Sequence, residues 1–418
     1  MGAMDYSDRE LLVMVIVGIV SVLSALTLLI ILNKAWREAR EAMDRRRRAT
    51  LEPDVFRYAG ATDTRALREY LPLPLSGRDE RIVEAILLDL AVLVKGESRE
   101  RITTACETLG LVAGATAGLS SRRWWKRAES AEKLGIMRSK QAVDMLLAAM
   151  DDPEGEVRIR AAGALGLIRG RTSIRPIVRA LADPSRWSAI RLAEILIGAG
   201  EEAVDELLEA YDGLTKPARI SALDVIGRAR TPRAAALLRR SLKDALPDLR
   251  ARAAHAMGLI ADPSFVDDLS ICLGDEAWAV RAMAAKALGR IGDARAVPRL
   301  AGLMSDREWW VRSNAGDALR ALGAPGREAL IRTLEEPDAY ARHQAVAQLE
   351  EGGIIDEYVS DLGSGDPTRR EAAIQFIRKV IGAHRIDRLS HQAVEHTQDS
   401  VRRALLKILR PEPQRGTS

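Results

Sequence analysis

A chain of 418 residues, 47% hydrophobic but only 4% aromatic, has room for two or three ordinary domains or for one elongated array. Ala, Leu and Arg recur throughout, which suits helices and disfavours twisted sheets rich in Val, Ile, Thr and Tyr. With 63 basic and 59 acidic residues the formal net charge is only +4, so the charges are interleaved and no dominant basic field for nucleic acid exists. Cys106 and Cys272 lie far apart among small and apolar residues, and are expected to be buried free thiols in a reducing compartment.

Residues 1–10 are short and acidic, with Asp5, Asp8 and Glu10. From Leu11 to Leu32 runs LLVMVIVGIVSVLSALTLLIIL, twenty-two uncharged residues. At ~1.5 Å rise per residue these cross a ~30 Å hydrocarbon core. A cleaved signal peptide is the competing reading, but the leader is acidic, the apolar run is long and no small-x-small cleavage site precedes the charges. Residues 11–33 are therefore expected to form a single transmembrane helix. Arg9 is the only basic residue before it, whereas Lys34, Arg37, Arg40, Arg45, Arg46, Arg47 and Arg48 follow. Basic residues stay on the cytoplasmic side, so the expected arrangement is an inner-membrane protein with its N-terminus outside and the rest in the cytoplasm. Lys34, Trp36, Arg37 and Arg45 to Arg48 are expected to lie against anionic lipid headgroups, at about 1 kcal/mol per cation. A nucleic-acid-binding arm is the rival reading of the same charges. Residues 34–77 read as this basic juxtamembrane segment followed by a connector, since Thr50 to Gly77 lacks clear periodicity and ends in LPLPLSG, where Pro72 and Pro74 each remove a backbone donor.

Downstream, the chain aligns on itself with a unit of about thirty-one residues, a period that marks stacked supersecondary units. The clearest copies are VRIRAAGALG at Val157, LRARAAHAMG at Leu249 and VRAMAAKALG at Val280. Weaker ones begin at Lys126, Ala218, Val311, Ala341, Thr368 and Val401, and the copy AIRLAEILIG at Ala189 has its arginine displaced by one residue to Arg191. The Ala and Leu positions fall on one helical face, and small residues there admit a neighbouring helix closely. Second amphipathic segments such as AVDMLLAAM from Ala142 and AVPRLAGLM from Ala296 complete helical hairpins, with turns at Asp151, Asp183, Glu335 and Gly365. The fold expected is all-α: one N-terminal transmembrane helix, then an α-solenoid of about ten hairpins over residues 78–410, and a short disordered tail at 411–418.

The best copies place an Asp, then an apolar residue five positions later and Arg at the sixth: Asp152-Val157-Arg158, Asp275-Val280-Arg281 and Asp306-Val311-Arg312, with Asp244-Leu249-Arg250 and Glu336-Ala341-Arg342 as variants. This pattern resembles the HEAT repeat family, in particular its short bacterial form, the PBS-lyase HEAT-like repeats. The family's first-helix proline is matched by Pro176 and Pro298. The resemblance covers about 330 of the 418 residues and speaks to fold far more than to function. Asp152, Arg158, Asp244, Arg250, Asp275, Arg281, Asp306 and Arg312 read as a structural ladder, each carboxylate capping a helix start and pairing with an Arg of the same helix or the next repeat.

Chemistry is hard to find. HEAT-like deoxyhypusine hydroxylases carry His-Glu dipeptides, and this chain has none; its five histidines make no metal-binding spacing, and no phosphate loop, nucleophile elbow or CxxC pair occurs. The sequence calls for no cofactor and no metal, and reads as a binding protein. An enzyme or enzyme subunit acting on nucleic acid or on a chromophore, as HEAT-like glycosylases and bilin lyases do, is the alternative. Trp124, Trp187, Trp278 and Trp309 share one slot, two residues before the apolar-Arg pair, and Trp125 and Trp310 follow directly. Such a row lies along one rim of a superhelix, either stapling adjacent repeats or forming a partner-binding stripe. The function expected is a cytoplasmic interaction scaffold held at the membrane, gripping a membrane-associated protein through its concave face and Trp rim. Membrane-anchored repeats of this DxxWWVR type are similar to ones associated with polysaccharide-synthesising glycosyltransferases.

Overall fold

A computed structural model describes residues 6–61, 67–183, 187–383 and 387–409; the expected tail at 411–418 lies outside the described residues. The described residues form twenty-three α-helices, several opened by a short 3-10 turn, and no strand. The chain divides into two units, residues 1–168 and 169–418. The first contains α1 (Tyr6–Gly60), α2 (Gly77–Leu93), α3 (Glu97–Thr108), α4 (Leu111–Gly118), α5 (Trp124–Met137), α6 (Val143–Ala149) and α7 (Gly155–Ile168). In the second follow α8 (Arg171–Ala180), α9 (Ala189–Ala199), α10 (Glu201–Ala210), α11 (Lys216–Ala229), α12 (Ala235–Ser241), α13 (Pro247–Ile260), α14 (Val266–Cys272), α15 (Trp278–Ile291) and α16 (Val297–Gly302). It ends with α17 (Trp309–Ala321), α18 (Ala324–Thr333), α19 (Ala339–Glu351), α20 (Ile354–Asp361), α21 (Pro367–Ala383), α22 (Asp387–Glu395) and α23 (Asp399–Leu409).

The helix α1 contains the apolar stretch. From Val17 it is long and apolar enough to cross a membrane, and none of its most apolar window is buried by the rest of the chain. It then continues without a break through the basic segment, where Asn33 to Thr50 holds neither Gly nor Pro and Lys34–Glu38 and Glu41–Arg45 pair one turn apart.

Two expectations change here. Thr50 to Gly60, read as the start of a connector, is the last part of α1: Leu51, Val55, Tyr58 and Ala59 are buried on one helical face, and Pro53 is accommodated inside the helix. Leu67 and Leu71, in the remaining part, are also buried. In addition, Arg47 and Arg48 have protein partners. Arg47 donates Nε and Nη2 to the Asp79 carboxylate at 2.8 and 2.9 Å, and Arg48 Nη2 reaches Asp89 at 2.6 Å. Together with Arg78–Asp44 these pairs clamp α1 to α2. Arg47 and Arg48 thus each have an acid of α2 as a partner. Arg101 Nε donates to the Tyr58 carbonyl at 3.0 Å and the Tyr58 hydroxyl donates back to the Arg101 carbonyl at 3.2 Å, tying α1 to α3.

In both units the arginine-bearing helices pack side by side through small residues. The last Gly of four copies is a point of close approach: a Cβ on Gly135, Gly227, Gly258 or Gly289 would lie 2.6 to 2.8 Å from the Cα of Ala164, Ala256, Ala287 or Ala318 on the next such helix. No real Cβ fits at that distance, so these four glycines set the spacing between successive repeats. In the displaced copy Gly198 meets nothing within 4 Å. Shifting the arginine by one residue has turned that glycine out of the interface. The second helices cover the other side, with Leu207, Leu238, Leu269 and Leu300 buried beneath them.

Candidate functional site

The loop before each arginine-bearing helix must satisfy its own carbonyls and the first free amides of the helix. One arginine and one aspartate per repeat do this. Arg250 donates Nε and Nη2 to the Asp275 carboxylate, both at 2.8 Å, and Arg281 donates likewise to Asp306 at 2.7 and 2.8 Å. Arg127 and Asp152 form the same rung in the first unit at 2.7 and 2.8 Å. In every rung the acid lies 25 residues after the arginine, so it is the next repeat's aspartate that closes the pair. Within its own repeat each arginine reaches backbone only: Nη1 of Arg158, Arg250, Arg281 and Arg312 donates to the carbonyls of Asp152, Asp244, Asp275 and Asp306 at 2.7 to 2.9 Å. The carboxylates of Asp152, Asp244, Asp275 and Asp306 meanwhile each accept the amide two residues on, at 2.8 or 2.9 Å. Arg127, Arg250 and Arg281 each therefore staple their own loop to the following one.

These acids titrate low. Arg127 is the main cause at Asp152, whose carboxyl sits below the usual range. At Asp275 and Asp306 burial opposes ionisation, but the guanidinium of Arg250 or Arg281, with the capped amide, more than offsets it and the carboxyls again sit low. A depressed folded value gives stability that is fully present above the unfolded value of about 4 and is lost as pH falls through the folded one. The full-length protein's unfolding midpoint should therefore drop as pH falls below about 4, and less steeply in Asp275→Asn. Identical slopes in the two proteins would show that the rung is not the titrating element.

Sequence reasoning missed Arg127, because Ser121 and not an acid stands six residues before it; the Ser121 carbonyl accepts Arg127 Nη1 at 3.0 Å all the same. The signal was the arginine's own register, without the acid. Asp244 keeps its capping role, but Arg219 turns its Nε and Nη2 to the carbonyls of Leu214 and Asp212.

The tryptophans stand at the first turns of these helices. Trp124 and Trp125 open α5, Trp278 opens α15, and Trp309 and Trp310 open α17. All five are about half exposed, with Trp310 the most open at 58%, and the Trp309 and Trp310 rings meet edge to face at 4.6 Å. Trp187, before α9, is half-buried. One further member escaped a search confined to Trp: Tyr340, 67% exposed, precedes Ala341-Arg342 as Trp310 precedes Val311-Arg312. The Arg312 guanidinium lies 5.1 Å from the centre of the Tyr340 ring. In the second unit, α15, α17 and α19 thus each open with an exposed large aromatic. Near the apolar stretch, Trp36 is exposed with Arg40 over its ring at 5.3 Å, and Lys34 pairs with Glu38.

Groups suited to chemistry are engaged or sealed. Burial pushes the Cys106 thiol up to about 12 and the Cys272 thiol up to about 11, so neither supplies a thiolate at neutral pH. The buried acid Glu206 is held by Arg171 and Arg175 at 2.6 and 2.7 Å. Among the described residues no group of three or more His, Cys, Asp or Glu is placed to hold a metal ion.

The model of HEAT repeats matches residues 112–198, 204–277 and 266–350, more than half of the 418 residues. The chain belongs to the HEAT repeat family. Solved structures similar to this HEAT-repeat chain include an engineered protein at 17% identity, covering 86% of this chain and 98% of that one with a TM-score of 0.31. The complex of CpcE and CpcF of phycocyanin lyase from Nostoc sp. PCC7120 is 22% identical, covering 57% of this chain and 92% of that one with a TM-score of 0.28. Kap121p bound to Pho4p is 14% identical, covering 86% of this chain and 49% of that one with a TM-score of 0.43. No curated protein sequence matches the chain.

Proposed function

We propose that this HEAT-repeat chain is a membrane-anchored interaction scaffold that binds a protein partner along the aromatic edge formed by the first turns of its arginine-bearing helices. The observation that carries this reading is the exposure of Trp278, Trp309, Trp310 and Tyr340 in a protein with only 4% aromatic residues. Large aromatics are costly to leave in water and are the side chains most enriched where protein partners bind tightly. The close contacts between these helices run through Ala and Gly, while about half of each indole surface stays open to a partner.

The uncovered apolar half of α1 supports the anchor, and the excess of basic residues after it supports a cytoplasmic location for the repeats at the inner membrane. Anchoring raises the effective concentration of the scaffold beside other proteins of the same bilayer, which makes a membrane protein the partner of choice. Purification of the full-length chain in mild detergent should bring down a membrane protein that is lost when Trp309 and Trp310 are both changed to Ala. A partner list unchanged by the double substitution would remove the aromatic edge from the account.

A further inference from the structure

We infer that Arg312 is an open rung of the ladder, and that its guanidinium receives the side-chain carboxylate of an acidic segment of the bound protein, seated against Tyr340. This rests on the aromatic edge being the partner-binding surface. The two preceding rungs show what such a guanidinium holds. Arg250 and Arg281 each spend Nη1 on the carbonyl six residues back and present Nε and Nη2 as a fork to an aspartate. Arg312 spends Nη1 in the same way, on the carbonyls of Asp306 and Arg307 at 2.7 and 3.2 Å. It is buried to the same degree as Arg281, at 9% against 7% exposure.

The acid for its fork is missing. Glu336 occupies the aspartate slot, and its backbone carbonyl accepts Arg342 Nη1 at 2.8 Å as the ladder requires. Its side chain is exposed and forms no ion pair with Arg312. Asp338 has turned to the amides of Tyr340 and Ala341 at 2.8 and 3.5 Å. Nε and Nη2 of Arg312 thus have no acceptor, yet neither is sealed away from solvent. A largely buried arginine whose planar fork has no acceptor among the described residues matches a carboxylate, which binds it through two parallel bonds. An exposed aromatic borders it: the Tyr340 ring covers its face, with the guanidinium carbon 5.1 Å from the ring centre. Glu308 and Glu336 flank the opening in sequence and disfavour polyanions such as nucleic acid. A single carboxylate among apolar side chains is the ligand that fits.

The test uses the full-length protein in mild detergent, panned against a phage library of random dodecapeptides. The best peptide is then made with its acid intact and with the acid replaced by the matching amide. Wild-type protein should select peptides carrying Asp or Glu, and the amide form should bind about tenfold or more weakly, as expected for losing a charge-assisted bidentate bond. Glu336→Asp, which puts the shorter acid of the other rungs into the slot, should weaken the acidic peptide to a similar extent while raising the unfolding midpoint. Selected peptides without an acid, an amide form that binds equally well, or unchanged affinity in Glu336→Asp would each overturn the Arg312 assignment while leaving the aromatic edge standing. Binding that survives Trp310→Ala would overturn the edge, and this inference with it.

Discussion

Gly258→Ala should destabilise the second unit, although alanine is the better helix former. In an ordinary helix interior the change gains roughly 0.5–1 kcal/mol. At Gly258 the new methyl would lie 2.6 Å from the Ala287 Cα and 2.7 Å from its Cβ, so α13 and α15 must separate. Overpacking of this kind costs about 1–3 kcal/mol, and the obstructing atoms are backbone, which cannot rotate aside. The net expectation is a loss of about 1–2 kcal/mol in urea unfolding of the full-length protein. Gly198→Ala is the matched control: the same slot of the displaced copy, in the same unit, with nothing within 4 Å of the added Cβ. It should be neutral or slightly stabilising. Equal effects at the two positions would mean that helix propensity, and not backbone contact, governs these glycines.

The second large effect is expected at the most buried rung. The Arg281 and Asp306 side chains are 8% and 9% exposed, and Asp306→Ala strands a guanidinium that has no other carboxylate within reach of both Nε and Nη2. Removing one member of a buried ion pair costs about 3–5 kcal/mol, because the remaining charge stays desolvated. Removing both members, as in Arg281→Met with Asp306→Leu, should recover most of that loss. The exposed pair Arg240–Asp212, at 59% and 74%, provides the contrast: Asp212→Ala should cost less than about 1 kcal/mol. Chemical denaturation of the three variants separates the cases. A double variant no more stable than Asp306→Ala alone would show that the rung acts through loop geometry, through the capped Glu308 amide, and not through charge.

The repeat register was readable because one constraint is imposed on every unit: an arginine that must bridge two loops recurs at a fixed offset, and Ala and Gly recur where helices touch. What could not be read was which aspartate answers which arginine. The sequence left an Arg of the same helix or of the next repeat open as the partner of each carboxylate, whereas the Asp306 carboxylate is bonded to Arg281 of the preceding repeat, 25 residues before it. Sequence proximity here reports a backbone contact. The end of α1 was missed for a related reason. Leu51, Val55 and Tyr58 have helical spacing, but a segment of eleven residues containing Pro53 becomes helical through its packing on α2 and α3, and those partners lie 30 to 45 residues downstream. Tyr340 was hidden by residue type alone, since the slot is aromatic and not specifically Trp.

The unbroken course of α1 has a mechanical meaning. From Leu32, at the end of the apolar stretch, to Leu51, the first buried residue, is about 28 Å of helix at ~1.5 Å per residue, and this length contains no glycine or proline to bend at. The clamps to Asp79 and Asp89 fix its far end. A flexible leash would let the first unit sample a volume, but this helix acts as a boom. With the apolar half held in a bilayer, as proposed, it would set one height for the first unit and pass on any tilt or rotation, so inserting two residues near Ala42 would swing the load round by about 200° as well as lifting it.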